Sequence, residues 1–201
     1  MSLEKVIQNI VLRPDIHAKW LNTLSYMENA GARKISASED KKSVNLIILK
    51  HAAEEHRHAY YLKKQIQKID GKLCPDYNDE YLLAPGASKY YLGLLDVKIC
   101  KYLKDTFKLS GQALKFAAYL LVTYAIEVRA DEIYPVYQEE LNKVGSKVNV
   151  KSIILEEEGH LEEMIAQLKS FSDDWEKHAE VAVGIEEALF NNWVIALHSD
   201  V

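Results

Sequence analysis

Apolar residues recur every three or four positions along nearly the whole chain, and this period predicts helices rather than strands. Residues that interrupt helices are scarce, since only 8 Gly and 4 Pro occur among the 201 residues. A chain of this length can bury a substantial core as one domain. The sequence therefore predicts an all-α protein with a single domain over 1–201.

Glycine, proline and capping residues divide this helical chain into segments. Pro135 should disturb the longest of the predicted helices, because proline lacks the backbone N–H that a helix interior needs. We expect a core bundle over about 15–170, a long crossover over about 70–110 that begins with a loop at 70–88, and extra helices at both ends. The predicted helices are 2–12, 15–37, 41–69, 89–107, 111–141, 149–170 and 174–198.

Composition and charge exclude several classes of protein. Apolar residues make up 48% and charged residues 27% of the chain, which excludes disordered and collagen-like proteins. The net charge of −5 argues against a broad nucleic-acid surface, so the stripe of Lys98, Lys101, Lys104 and Lys108 is interpreted as a solvated helix face. Neither a membrane-spanning run nor a signal peptide is predicted. Two cysteines without a CxxC motif favour a reducing, cytoplasmic setting.

Glutamate and histidine interrupt two of the apolar stripes at matching places. Glu55 and His58 lie in the predicted helix 41–69, and Glu157 and His160 lie in the predicted helix 149–170. Positions three apart share a helix face, so both members of each pair occupy sites where Leu or Ile is usual. Superposing Glu55 on Glu157 also aligns the apolar positions on either side. A single Glu-x-x-His is a weak signal, but two at equivalent core positions need a common explanation.

Two further glutamates, Glu28 and Glu127, lie on the apolar stripes of the other two long helices. Asp131 and Glu132 compete with Glu127, but Thr123 and Tyr124 one turn away keep Glu127 on the apolar side. A buried ionised carboxylate costs several kcal/mol unless a cation or dense hydrogen bonding offsets it. Cations shared by these side chains are the simplest explanation for placing so many of them in a core.

The predicted site therefore binds a pair of metal ions. Four carboxylates neutralise two divalent cations, which makes burial of the cluster tolerable. Oxygen-rich ligation with one histidine per metal suits iron or manganese better than zinc. The predicted ligands are Glu28, Glu55, His58, Glu127, Glu157 and His160.

Three neighbouring residues are candidates for hydrogen bonds to these ligands. His51 lies one turn before Glu55, where it can donate to a ligand or be an extra ligand, and the alternative is an ordinary core histidine with its hydrogen bonds satisfied. Tyr124 lies three positions before Glu127, and the alternative is a tyrosine that only packs in the core. Asp131 lies one turn after Glu127, where it can orient a ligand histidine or form a surface ion pair.

The complete set of residues resembles the ferritin-like di-iron carboxylate superfamily, which uses a Glu from each of two helices and a Glu-x-x-His from each of two others. The resemblance covers about 15–170. Glu54-Glu55 and Glu156-Glu157 are similar to the double-Glu motifs of rubrerythrins and bacterial tRNA hydroxylases, and Glu127-Val128-Arg129 is similar to a Glu-x-Arg segment of the latter. The resemblance implies a ferritin-like four-helix bundle that binds two iron ions, with manganese as the alternative.

The same resemblance implies a class of reaction. An O2- or peroxide-dependent oxidase or hydroxylase is expected, acting on a small molecule or a modified base. Because the chain has no rubredoxin-type CxxC module, electrons are expected from a separate donor. The alternative is an iron-binding or ferroxidase protein without an organic substrate. A homodimer is expected, and a helical interaction protein with a vestigial site leaves the polar core residues unexplained.

Overall fold

The computed structural model describes residues 2–201, with every side chain except that at position 158. Within this range the chain forms α-helices and two short 3-10 turns but no strand, which confirms the all-α prediction. No helix in the range combines the length and apolar character that crossing a membrane requires. The helices are α1 Leu3–Val11, α2 Pro14–Ser38, α3 Leu46–Gln65, α4 Pro85–Phe107, α5 Gly111–Lys143, α6 Lys151–Phe171 and α7 Trp175–Asp200.

Two antiparallel hairpins, α2–α3 and α5–α6, form the centre of the molecule. The Ser25 hydroxyl donates a 2.6 Å hydrogen bond to the Ala59 carbonyl across the first hairpin. In the second hairpin, the side-chain oxygen of Gln138 accepts a 2.7 Å hydrogen bond from the Val150 N–H. Helix α4 contacts α2, α5 and α7, and α1 packs against α2 and α5. The crossover therefore returns along the bundle as a helix that flanks both hairpins.

Helix α3 begins at Leu46, so the predicted start at residue 41 is wrong. The Asp40 carboxylate accepts hydrogen bonds from the backbone N–H groups of Lys42 and Ser43, at 2.8 and 2.9 Å. The Asn45 side chain then caps α3 by accepting from the backbone N–H groups that follow it. Short polar side chains that accept backbone hydrogen bonds in this way compete with a helix, and they delay it here by about one turn.

Two proline positions also differ from expectation. Helix α4 begins at Pro85 rather than at residue 89, because proline is well suited to a first helical turn, where its missing N–H costs nothing. Helix α5 continues through Pro135. Pro135 and Asp131 are both exposed, so water can solvate the Asp131 carbonyl that the proline leaves without a donor.

The apolar core consists of two clusters at opposite ends of the hairpins, and the predicted ligands lie between them. On α2, one cluster holds Trp20 and Leu24 and the other holds Ile35, with Glu28 between. The same order recurs on the other three central helices. The residues that bracket the ligands there are Ala52 and Leu62 on α3, Ala125 and Ile133 on α5, and Ile153 and Met164 on α6. A band of charged side chains thus crosses the middle of an otherwise apolar interior.

Candidate metal centre

Six side chains converge in this band, one from each of two helices and two from each of the others. Their oxygen and nitrogen atoms form two groups, and within each group one atom per residue lies within 4.8 Å of every other. Glu55 belongs to both groups. The first group is Glu28, Glu55 and His58, and the second is Glu55, Glu127, Glu157 and His160. All six predicted ligands are therefore brought together in positions that could hold metal ions.

The two glutamates of the Glu-x-x-His motifs lie between the two imidazoles. Glu157 places one carboxylate oxygen 3.1 Å from His58 Nδ1 and the other 3.1 Å from His160 Nδ1. Glu55 likewise places one oxygen 3.6 Å from each of these nitrogens. Glu127 approaches only His160, at 3.7 Å. Two carboxylates thus lie between the histidines and would help to hold cations on both sides, while Glu28 and Glu127 each belong to one of the two groups.

Each histidine is oriented by a glutamate from the opposite hairpin. His58 Nε2 lies 2.7 Å from a Glu156 oxygen, and His160 Nε2 lies 2.7 Å from a Glu54 oxygen. A carboxylate that accepts the Nε2 proton leaves Nδ1 as the nitrogen that can bind a cation. Arg57 donates a 2.7 Å hydrogen bond to Glu156 and lies 3.7 Å from Glu54. The sequence shows these glutamates only as the first residue of each double-Glu pair.

The cluster is deeply buried. Glu127, Glu157 and His160 are only 3%, 2% and 1% exposed, so bulk water cannot solvate their charges. Glu28 is half-buried because it faces a cavity. It accepts a hydrogen bond from the buried hydroxyl of Tyr134, a residue that sequence analysis did not single out. Tyr134 lies seven positions after Glu127, on the same face of α5, and that spacing is the signal that could have identified it.

Electrostatic interactions within the cluster differ from residue to residue. Burial raises the pKa of Glu127 well above its usual range, and the charge of Glu157 adds to the rise. Burial and the neighbouring Glu55 do the same to the pKa of Glu28. Burial alone would lower the pKa values of the histidines, but the adjoining glutamates outweigh it and raise them to about 12 for His58 and about 11 for His160. Protons on these groups offset the cluster's negative charge when no cation is bound.

A buried nitrogen without an aligned hydrogen bond supports cation binding at this position. Among the described side chains, His58 Nδ1 is one of two buried polar atoms that have no hydrogen bond. Carboxylate oxygens of Glu157 and Glu55 lie 3.1 and 3.6 Å from it, and a metal ion held between them would use its lone pair. The donor set of carboxylate oxygens and imidazole nitrogens fits iron or manganese.

Of the three candidate hydrogen-bonding partners, His51 lies closest to the cluster. Its Nε2 is 2.8 Å from a Glu163 oxygen, and its Nδ1 is 2.9 Å from the Tyr119 hydroxyl. Its ring centroid lies 4.8 Å from that of His160. His51 therefore packs against a predicted ligand and has its own hydrogen bonds satisfied, in keeping with the ordinary core histidine of the alternative interpretation.

The other two candidates are not brought to the cluster. Tyr124 is half-buried and packs against the apolar cluster that contains Ile35. Asp131 is exposed on α5, so the prediction that it orients a ligand histidine is wrong. Asp131 is one turn from Glu127 in sequence, but it faces outward there. Glu54 and Glu156 perform that role instead.

A cavity of about 350 Å³ adjoins the cluster. Glu28, Glu55 and Glu127 lie in its wall, and the remaining wall is formed largely by apolar side chains of α2, α4 and α5. Gly31 and Ala130, the small residues one turn after Glu28 and Glu127, also line it. The crossover helix α4 contributes Tyr91, Leu92, Asp96 and Cys100. A molecule in the cavity would therefore contact the carboxylates on the side away from His58 and His160.

Comparisons with protein-family models, with curated proteins and with solved structures found no match to this chain.

Proposed function

We propose that this chain is a ferritin-like di-iron carboxylate protein that oxidises or hydroxylates an organic substrate with O2 or peroxide. The observation that carries the proposal is the pair of glutamates, Glu55 and Glu157, that lie between two histidines in an apolar core. A surface ion-pair network does not need this symmetry. The four glutamates and the two Nδ1 atoms would hold two divalent cations, whose charge would offset that of the carboxylates.

The identity of the metal follows from the ligand atoms. Each position offers one imidazole nitrogen and several carboxylate oxygens, a set that favours iron or manganese over zinc. When bound, a pair of iron ions supplies the redox chemistry with O2 or peroxide that amino-acid side chains cannot supply. The chain offers no CxxC module as an electron source, so a separate donor completes the proposal.

The residues around the cluster have three roles in this proposal. Glu54 and Glu156 fix the tautomer and orientation of the histidines, and Tyr134 holds the carboxylate of Glu28. The apolar cavity excludes water and places a substrate against Glu28 and Glu127. Preorganised ligands and exclusion of water are what a metal centre requires of its protein.

The cavity favours an organic substrate over iron as the substrate. A ferroxidase moves hydrated cations to its centre, and such a path needs polar side chains along its length. Here the approach to the carboxylates is lined by side chains such as Leu92, Val122 and Ile126. An iron-binding or ferroxidase protein without an organic substrate is the alternative, and metal reconstitution distinguishes the two.

Metal reconstitution with a matched pair of variants tests the proposal. The protein should take up about two ferrous ions per chain and, on mixing with oxygen, develop the near-ultraviolet band of an oxo-bridged ferric pair. His58→Ala should reduce uptake by at least half, whereas His56→Ala, which removes an exposed imidazole two residues away, should leave it unchanged. Equal uptake by the two variants would mean that the histidine does not bind iron. Iron uptake far beyond two ions per chain, with mineral formation, would support the ferroxidase alternative.

A further inference from the structure

The cavity beside the cluster is long and narrow. Its lining on α5 extends from Leu114 to Tyr134, a span of about 30 Å at 1.5 Å per residue. Only about 350 Å³ of space is distributed along this span. A compact ring system fills a short, wide pocket, whereas a slender chain fills a passage of this shape.

One end of the cavity opens between α2, α4 and α5 and carries positive charge. Lys34 and Lys115 both line this end, and Lys115 is exposed. Lys34 Nζ lies 3.2 Å from an Asp96 oxygen, so one of the two positive charges is already compensated.

The interior offers no comparable site for a charged group. Among the described residues that line the cavity, Arg129 is the cation farthest from the opening. It donates hydrogen bonds of 2.9 and 2.8 Å to the two oxygens of Glu186, so its charge is already neutralised. An anionic group deeper in the cavity would also approach the carboxylates of Glu28 and Glu127. A charged head group is therefore best accommodated at the opening.

We propose that the cavity binds a linear alkyl chain with an anionic head group, the head beside Lys115 and Lys34 and the chain extending to the carboxylate cluster. Because it names a substrate class for the same metal centre, this inference rests on the proposed function. Lys115 precedes Glu127 by 12 residues on α5, about 18 Å along the helix. The chain would therefore present a methylene group remote from its head to the cluster.

The width of the passage depends on Gly31. A Cβ atom at this position would lie 4.0 Å from Leu92 Cδ1, which is ordinary van der Waals contact. Alanine should therefore fit without displacing its neighbours, whereas leucine should fill the passage. Ala130, on the opposite wall, offers a second position at which a larger side chain would block it.

Calorimetric titration with dodecanoate, dodecanol and dodecylammonium tests the head group, and a series from hexanoate to dodecanoate tests the chain. Dodecanoate should bind with one molecule per chain and most tightly of the three. Each added methylene should tighten binding by about fourfold until the passage is full. Lys115→Glu should weaken dodecanoate by about tenfold, whereas Lys72→Glu, an exposed lysine in the loop after α3, should have no effect.

Gly31→Leu should abolish dodecanoate binding while the variant still takes up iron like the unmodified protein. If that variant does not fold, Ala130→Leu applies the same test from α5. Equal affinity for the three head groups would overturn the inference, and so would dodecanoate binding that neither blocking variant weakens. Thermal stabilisation of the protein by an RNA oligonucleotide but not by dodecanoate would also overturn it. Iron content is measured on the same samples, so failure of the metal proposal is seen separately from failure of the alkyl-chain proposal.

Discussion

The two halves of the cluster are alike at the predicted ligands and unlike one turn away. Each half has a Glu-x-x-His, a facing glutamate and a glutamate from the opposite hairpin that orients the imidazole. Beside His160 lie His51 and Tyr119, joined by a hydrogen bond. Superposing Glu157 on Glu55 makes Ile153 equivalent to His51, and superposing Glu28 on Glu127 makes Trp20 equivalent to Tyr119. Ile153 and Trp20 are both buried in one apolar cluster.

This difference distinguishes the residues that a metal site requires from the neighbouring residues that can vary. The repeated residues are those that bind or orient a cation, and both positions need them. The unrepeated residues give one half a polar route to the surface, since His51 bonds to Glu163, which also accepts from the exposed Lys50. In the other half the equivalent positions belong to the apolar core, including Trp20 stacked on Trp193 at 5.7 Å, and the route to the surface runs through Glu156 and the exposed Arg57. The two halves therefore have matching ligands and differ in the packing one turn away.

The strongest test of the symmetry at the ligands compares a substitution of a glutamate that approaches both histidines with a substitution of one that approaches a single histidine. Glu157→Gln should abolish binding of both ions, because its two oxygens face the two histidines. Glu127→Gln should lose only the ion beside His160 and keep half of the metal. Metal content by plasma mass spectrometry distinguishes the two results. Wild-type metal content in Glu157→Gln would show that the assignment of Glu157 to both ions is wrong.

The orienting glutamates should matter equally in the two halves. Glu54→Gln and Glu156→Gln should each weaken metal binding by about 10–100-fold, because an amide does not hold the histidine proton as a carboxylate does. Competition with a chelator measures the affinity. Glu162→Gln, an exposed change on α6, is the control. A large effect from one variant alone would show that the two ions are held by different means.

The polar network on one side should contribute to stability but not to metal content. His51→Leu imitates the apolar half and leaves the buried Tyr119 hydroxyl without its partner, at a cost of about 1–3 kcal/mol in the free energy of unfolding. Adding Tyr119→Phe should recover part of this loss, since both partners of one hydrogen bond are then removed. Urea denaturation provides the measurement. Loss of metal in His51→Leu would instead identify His51 as part of the site.

The apolar half should respond to pH through a buried histidine of its own. Burial lowers the pKa of His17 to about 4, so the folded protein binds this proton less readily than the unfolded chain, whose histidine has an ordinary pKa of about 6.5. Stability is then complete above that value and falls as the pH decreases toward 4, by about 1 kcal/mol at pH 6. Denaturation at several pH values should show a smaller fall in His17→Gln. An unchanged dependence would assign the fall to other groups.

The sequence predicts the helical class and brings out all six residues of the cluster, because buried charge in an apolar stripe is a local signal. It places the beginnings of α3 and α4 incorrectly by about one turn. Those boundaries depend on whether Asp40 and Asn45 bond to the backbone and on how early Pro85 starts a helix. At each boundary the alternative starting residues differ by only a small free energy, so tertiary packing determines which one is used.

The hydrogen-bonding partners of the ligands are harder to predict than the ligands themselves. Asp131 has a suitable spacing from Glu127 but faces solvent, whereas Glu54 and Glu156 reach across from another helix. Tyr134 reaches Glu28 from a different hairpin. Contacts between helices depend on the relative rotation of the helices. The periodicity of a single helix gives no information about that rotation.

The exchange of glutamates between hairpins means that neither hairpin carries a complete site. His58 depends on Glu156, and His160 depends on Glu54, so each half of the protein supplies the other half's support. If the chain were divided within the crossover and the halves were made as separate polypeptides, neither alone would bind metal tightly. Mixing them would restore binding only as the halves dock, so metal uptake would serve as a direct signal that the two fragments have reassembled.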